Sequence, residues 1–369
     1  MTQHQVPLVD LSYQQLQIND AIREGFNRVI AESSFIMGPQ VGEFEEAWAK
    51  YCGVTHAVGV GNGTDAIEFA LRAARVGPGD EVIVPTNTFV ATAGAVLRAG
   101  AELVLADCDQ DFLLGPDEVT GRITARTKAV IAVHLFGQTA PMELITGVLP
   151  PGVTLVEDMA QAQGATRLGV RAGALGDVAA TSFYPGKNLG GFGDAGAVMT
   201  NSTEISGRLR KLRNHGGNAR YEHLDVGFNS RLDTLQAVVL NAKLALLDQW
   251  NQQRVEAADR YRELLEDLDE VILPRVAPGN EHVFHLYVIR VPERDRLVRA
   301  LNESGIGAGI HYPNPVHLLP AYAFVPYGKG AFPVAEAFSR QILSLPLYPG
   351  ITSTQQEIVA DALRSALRG

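Results

Sequence analysis

Residues 81–106 read EVIVPTNTFVATAGAVLRAGAELVLA, and this stretch decides the fold class. It opens on the β-rich run Glu81–Pro85 and closes on a second, Glu102–Ala106. Between them Phe89–Ala99 carries a helical pattern. Further runs lie on either side: His56–Val60, Lys128–His134, Thr154–Asp158, Val178–Phe183 and Ala197–Thr200, with Asp65–Arg75 helical between the first two strands. Several are apolar almost throughout (VIVP, AVIAV), as strands covered on both faces must be. Strand–helix alternation of this kind predicts an α/β fold whose large domain has a mainly parallel, seven-stranded sheet.

The pattern changes beyond residue 230. Ser230 to Leu268 reads as one long helical stretch, with apolar residues three and four apart. Val283–Val291 reads as a strand, and Arg294–Ser304 and Phe332–Leu343 read as helices. Residues 1–250 are therefore assigned to the large domain with an N-terminal arm, and residues 251–369 to a smaller C-terminal α+β domain. A chain of 369 residues suits one large core and one small one.

The 41 acidic residues exceed the 31 basic ones, for a formal charge of −10. That excludes a general nucleic-acid binder, which needs a basic footprint. Cys52 and Cys108 form neither a disulfide framework nor a zinc-ligand pattern, so no metal site is expected. The N-terminus shows no signal peptide and no apolar run is long enough for a membrane helix, so a cytoplasmic protein is expected.

The chemistry concentrates in Ser182-Phe183-Tyr184-Pro185-Gly186-Lys187-Asn188. Here a β run ends in a Gly- and aromatic-rich loop that presents a lysine with no other basic residue nearby. Most lysines are solvated surface charges. One in a loop of this kind suits a Schiff base with pyridoxal phosphate, which needs a neutral amine, and burial lowers a lysine's pKa. Such a cofactor also needs a carboxylate facing its pyridine nitrogen. Asp158 ends the apolar strand Thr154–Asp158, at the sheet edge where α/β proteins bind ligands. Taken alone it reads equally well as a helix cap. Gln161, three residues on, could reach the ring hydroxyl or could simply be an exposed polar side chain.

A phosphate needs backbone N–H groups and hydroxyls. Gly59-Val60-Gly61-Asn62-Gly63-Thr64-Asp65-Ala66 follows a strand and opens a helix, whose N-terminus favours an anion. Ser182 could add a hydroxyl. Phe89 could stack on the ring, although a lone Phe there is more often core. The match of Gly191-Phe192-Gly193-Asp194-Ala195-Gly196 to a dinucleotide fingerprint precedes a β run, which is the wrong context.

Taken together and in this order, these segments and Gly227-Phe228-Asn229-Ser230-Arg231-Leu232-Asp233 resemble the sugar aminotransferases of the fold-type I pyridoxal-phosphate class. The resemblance spans nearly the whole chain. It implies that Lys187 carries the cofactor, that Asp158 faces the ring nitrogen and Gln161 the ring hydroxyl, and that Gly63, Thr64 and Ser182 hold the phosphate, with Phe89 on the ring. It also implies that Asn229 reaches the phosphate in a neighbouring subunit, so that the protein is a homodimer with shared active sites. Tyr312 and His317, in Gly309–His317, resemble the family's sugar-facing segment. Tyr184 and Arg220 are further candidates for the sugar and its diphosphate. Met159 and Gln163 stand where relatives often carry a smaller residue and a histidine. Asp194, where many relatives have Glu, resembles the enzymes that aminate the 3-position of a dTDP-linked 3-keto-6-deoxyhexose, with glutamate as the implied donor. The glutamate form resembles the 4-keto enzymes. Two rivals remain: a dehydratase on the same scaffold, in which a histidine replaces the lysine, and a non-catalytic sensor of the cofactor or a sugar nucleotide.

Overall fold

Alternate residues of each central strand face opposite layers, and both layers are apolar. The strands are β1 (His56–Val60), β2 (Glu81–Pro85), β3 (Glu102–Ala106), β4 (Thr127–Val133), β5 (Thr154–Asp158), β6 (Val178–Ser182) and β7 (Gly196–Thr200). The structure, a computed structural model, describes residues 5–219 and 221–368. Val82 and Val84 of β2 join a core with Phe69 and Val96 from the helices Gly63–Ala73 and Val90–Ala99. Ile83, between them, joins Val130, Ala132 and Leu155 on the other side. A further core on Phe44, Trp48, Phe183 and Leu240 is supplied by the helices Pro39–Cys52 and Thr234–Leu244.

The sheet order is β1-β7-β6-β5-β4-β2-β3. Only β7 runs antiparallel to its neighbours, β1 and β6. It returns directly from β6 through residues 183–195 with no crossover helix between. The fingerprint match Gly191–Gly196 lies on this return. Gly196 already belongs to β7, opposite Ser182 and Val60, and a Cβ there would lie 2.4 Å from the Asn62 carbonyl oxygen. Close strand approach therefore explains this glycine.

β8 (Tyr287–Arg290) pairs antiparallel with β9 (Ile342–Leu345). Helices Leu247–Leu265, Arg294–Glu303 and Ser353–Arg368 complete a separate core around Tyr261, Leu297 and Leu363. Two expectations are corrected here. The stretch from 230 to 268 is two helices, Thr234–Leu244 and Leu247–Leu265. At the break the Leu246 N–H bonds three residues back, to the Lys243 carbonyl, and no Gly or Pro marks it. The helix expected over Phe332–Leu343 stops at Ser339, and Ile342 begins β9, because its pairing partner β8 is remote in sequence. The expected boundary after residue 250 falls inside Leu247–Leu265, with Leu247 in the large-sheet core and Leu265 in the small one. Among the described residues no helix is long and apolar enough to cross a membrane.

Candidate active site

Adjacent carboxylates at the end of β5 point to opposite sides of the sheet, as strand geometry demands. Glu157 is fully buried, and its oxygens accept from His134 Nε2 (2.9 Å) and from the backbone N–H groups of Gly173, Leu175 and Gly176 at 2.7–2.8 Å. It is a structural anchor. Asp158 faces a pocket. The Thr92 hydroxyl donates to its Oδ2 at 2.7 Å and the Ala160 N–H to its Oδ1 at 3.2 Å. Thr92 in turn shares a 2.8 Å bond with Thr88.

Lys187 projects from the loop after β6, where its N–H closes a turn onto the Tyr184 carbonyl at 2.8 Å. Its Nζ makes no hydrogen bond or ion pair with the described residues. Burial lowers its pKa to about 8, against the opposing pull of the Asp158 charge. An ordinary lysine is neutral in about one molecule in three thousand at pH 7; at a pKa of about 8 the fraction is about one in ten. Two imidazoles beside it stay neutral. Burial first, then the Lys187 charge, holds His285 well below its usual range and brings His311 to about 4.

The helix Gly63–Ala73 starts against the end of β6. Asn62 caps it by accepting the Asp65 N–H at 2.8 Å, and among the described residues the N–H groups of Gly63 and Thr64 have no partner. A Cβ on Gly63 would lie 2.5 Å from Cβ of Ser182, so only glycine lets the helix terminus and this serine meet. The pocket around them, about 950 Å³ and open to solvent, brings together Gly63, Thr64, Phe89, Asp158, Gln161, Ser182, Tyr184, Lys187 and Tyr312. An unengaged amine, a carboxylate facing it and a helix N-terminus crowded against a serine fit a group that carries an aldehyde, a protonated ring nitrogen and a phosphate.

Gln161 accepts the Phe136 N–H at 2.8 Å and donates to the Tyr312 hydroxyl at 3.0 Å, keeping one N–H free. Tyr312 lies tilted against Phe89, with ring centroids 5.2 Å apart. Tyr184 is exposed at the pocket mouth. His317 is not in this lining: it is buried, with Nδ1 at 2.9 Å from Thr86 Oγ1 and Nε2 at 3.1 Å from Glu336 Oε1, so both nitrogens are engaged. Asn229 is exposed and outside the pocket, its Oδ1 accepting from Arg231 at 2.7 Å. Arg220 lies outside the described residues. Sequence reasoning missed Thr88 and Thr92, whose four-residue spacing at a helix start was the available signal. It missed a function for Gln163, whose amide bonds the Ser182 carbonyl at 2.9 Å and the Leu189 N–H at 2.6 Å, tying down both ends of the lysine loop. It also left Asp194 as a subgroup marker, whereas this residue lines the pocket.

The sequence profile of the DegT/DnrJ/EryC1/StrS aminotransferase family matches residues 16–364. A pleiotropic regulatory protein of Geobacillus stearothermophilus is 43% identical, over 98% of this chain and 99% of its own. The dTDP-3-amino-3,4,6-trideoxy-alpha-D-glucose transaminase of Streptomyces venezuelae is 44% identical, over 97% and 95%. The crystal structure of S. venezuelae DesV in complex with a ketimine intermediate superposes with a TM-score of 0.95 at 44% identity, covering 98% of both chains.

Proposed function

The chain belongs to the DegT/DnrJ/EryC1/StrS aminotransferase family, and from that premise we propose that it is a pyridoxal-phosphate-dependent enzyme moving an amino group from an amino acid to a nucleotide-linked keto-sugar. The observation that carries this reading is the unengaged, burial-softened amine of Lys187 facing Asp158. In the same reading the sugar is a dTDP-linked 3-keto-6-deoxyhexose aminated at its 3-position, and glutamate is the donor. The 44% identical transaminase and Asp194 in the pocket lining support the position.

Gly63 and Thr64 hold the phosphate with backbone N–H groups, and Ser182 with its hydroxyl. Asp158 faces the ring nitrogen, Phe89 covers the ring and Gln161 turns its free N–H to the ring oxygen. Bound there, pyridoxal phosphate supplies an electron sink for the carbon that bears the amine. Lys187 Nζ would take the proton from that carbon, hold it as the ammonium, and return it to the carbon on the other side of the same nitrogen. Thr92 and Thr88 fix the Asp158 carboxylate, so its charge is in place before substrate arrives. Tyr184 and Tyr312 border the side from which the sugar enters.

The assembly in this reading is a homodimer, with Asn229 turned to the partner's phosphate. Its support is the exposed position of Asn229 and the exposure of the consecutive apolar residues Phe35, Ile36 and Met37. A cytoplasmic location belongs to the same reading and is supported by two free, buried cysteines.

The test starts with the purified protein, pyridoxal phosphate and glutamate, followed by a panel of 3-keto and 4-keto nucleotide sugars, with products identified by mass and NMR. The expected products are 2-oxoglutarate and a 3-amino sugar nucleotide. Amination of the 4-keto sugars alone would move the position, and a protein that never takes up the cofactor would sink the whole reading. The name of the 43% identical relative speaks of regulation, and a second reading is a sensor that holds the cofactor without transamination. Binding of the cofactor without conversion to its amine form by any donor would select it.

A further inference from the structure

A second cavity opens between the large sheet and β8 and shares no lining residue with the Lys187 pocket. Phe112, Phe136, Leu286 and Val288 give it apolar walls. Its polar groups divide into engaged and unengaged. Arg275 is paired with Asp111 at 2.9 Å, and Gln138 bonds the Arg275 carbonyl and the Ala277 N–H. Arg290, on β8, makes no side-chain hydrogen bond or ion pair with the described residues; its guanidinium rests 4.2 Å over the Phe338 ring. Burial, and then the neighbouring Arg275 charge, pull its pKa down, so the site holds positive charge at a cost. His282 is 6% exposed and stays neutral because burial takes its pKa to about 3. Its Nδ1 accepts the Phe284 N–H at 2.8 Å, which puts the ring proton on Nε2, and Nε2 has no hydrogen-bond partner among the described residues.

We propose that this cavity is a binding site for a small organic monocarboxylate, whose carboxylate takes hydrogen bonds from the Arg290 guanidinium and the His282 Nε2–H while its apolar body lies against Phe112, Phe136, Leu286 and Val288. The charge balance selects the class. Among the groups that line the cavity, Asp111 neutralises Arg275 and His282 is neutral, so one positive charge is left for one negative charge. A phosphate dianion would overshoot it, and a neutral ligand would leave Arg290 desolvated without a counter-ion. A guanidinium fork matches the two oxygens of a carboxylate. The site abuts the active site through Phe136, whose N–H holds Gln161.

Calorimetric titration of the full chain with phenylacetate and with hexanoate tests this, alongside phenylacetamide, inorganic phosphate and the variants Arg290→Gln and Lys187→Ala. Saturable binding of a carboxylate at one site per chain is expected, with at least about tenfold weaker binding of phenylacetamide and a similar loss in Arg290→Gln, the worth of a charge-assisted hydrogen bond. Lys187→Ala should bind as the wild type does. The proposal fails if neither carboxylate saturates, if phosphate binds more tightly than both, if Lys187→Ala abolishes binding, or if the amide binds as well as the acid. That last comparison uses wild-type protein alone and stands even if Arg290→Gln does not fold.

Discussion

Two lysines, Lys187 in the loop after β6 and Lys243 on the helix Thr234–Leu244, are both brought to a pKa of about 8 by burial. Their surroundings differ. Lys243 donates to the Gly190 carbonyl at 2.7 Å and sits 5.2 Å from the Phe192 ring centroid, so its ammonium is in use. Lys187 has no such partner and feels the Asp158 charge across an open pocket. A lowered pKa therefore marks burial and not chemistry. What separates the Lys187 amine from that of Lys243 is an unspent donor facing a carboxylate and space for a ligand. Lys243 holds Gly190, three residues beyond Lys187, and so anchors the loop that presents Lys187.

The comparison is broken most directly by exchanging the two losses. Lys187→Ala should abolish the visible absorbance band of the cofactor-loaded protein and lower turnover by at least about 10²–10⁴-fold. Lys243→Met should keep the band; losing it in both variants would erase the distinction. Asp158→Asn should retain bound cofactor yet turn over about 10²–10³-fold more slowly, as when one preorganised electrostatic group is removed. Near-normal turnover in a steady-state assay would strip Asp158 of its part in the contrast.

Thr92→Val sharpens the contrast without touching either lysine. It removes a 2.7 Å bond to Asp158, worth about 1.5–3 kcal/mol when the acceptor is charged. Turnover should fall about tenfold, because the carboxylate has lost a donor that fixes its position. Unchanged turnover in a steady-state assay would leave Thr92 with a packing role only. The smallest effect is on stability. Each lysine has a folded pKa of about 8 and a reference value of 10.5. Between those values the unfolded chain holds a proton that the folded one has released. Urea midpoints of the cofactor-free protein should therefore rise with pH across that window through these two groups. Lys243→Met should flatten the rise.

The sheet was legible because its strands are short, apolar and punctuated, and β1, β2, β3 and β5 have the expected bounds. The break at Leu246 and the strand Ile342–Leu345 were not legible, since one arises from a single local hydrogen bond and the other from a remote partner. Within the site, Lys187, Asp158 and the Gly63–Thr64 turn carry residue types that few other purposes require together. Thr92 and Gln163 are ordinary polar residues until the fold sets them against Asp158 and the lysine loop. His317 carried the right residue type for a sugar contact, but both its nitrogens are spent on Thr86 and Glu336.

The contact between Gly63 and Ser182 ties two distant positions into one heritable unit. A methyl group at residue 63 forces the serine or the helix terminus to move, because it would lie 2.5 Å from Cβ of Ser182. The same pocket therefore tolerates change unequally: exposed Tyr184 can be exchanged without moving backbone, whereas the Gly63–Ser182 end cannot gain one carbon atom.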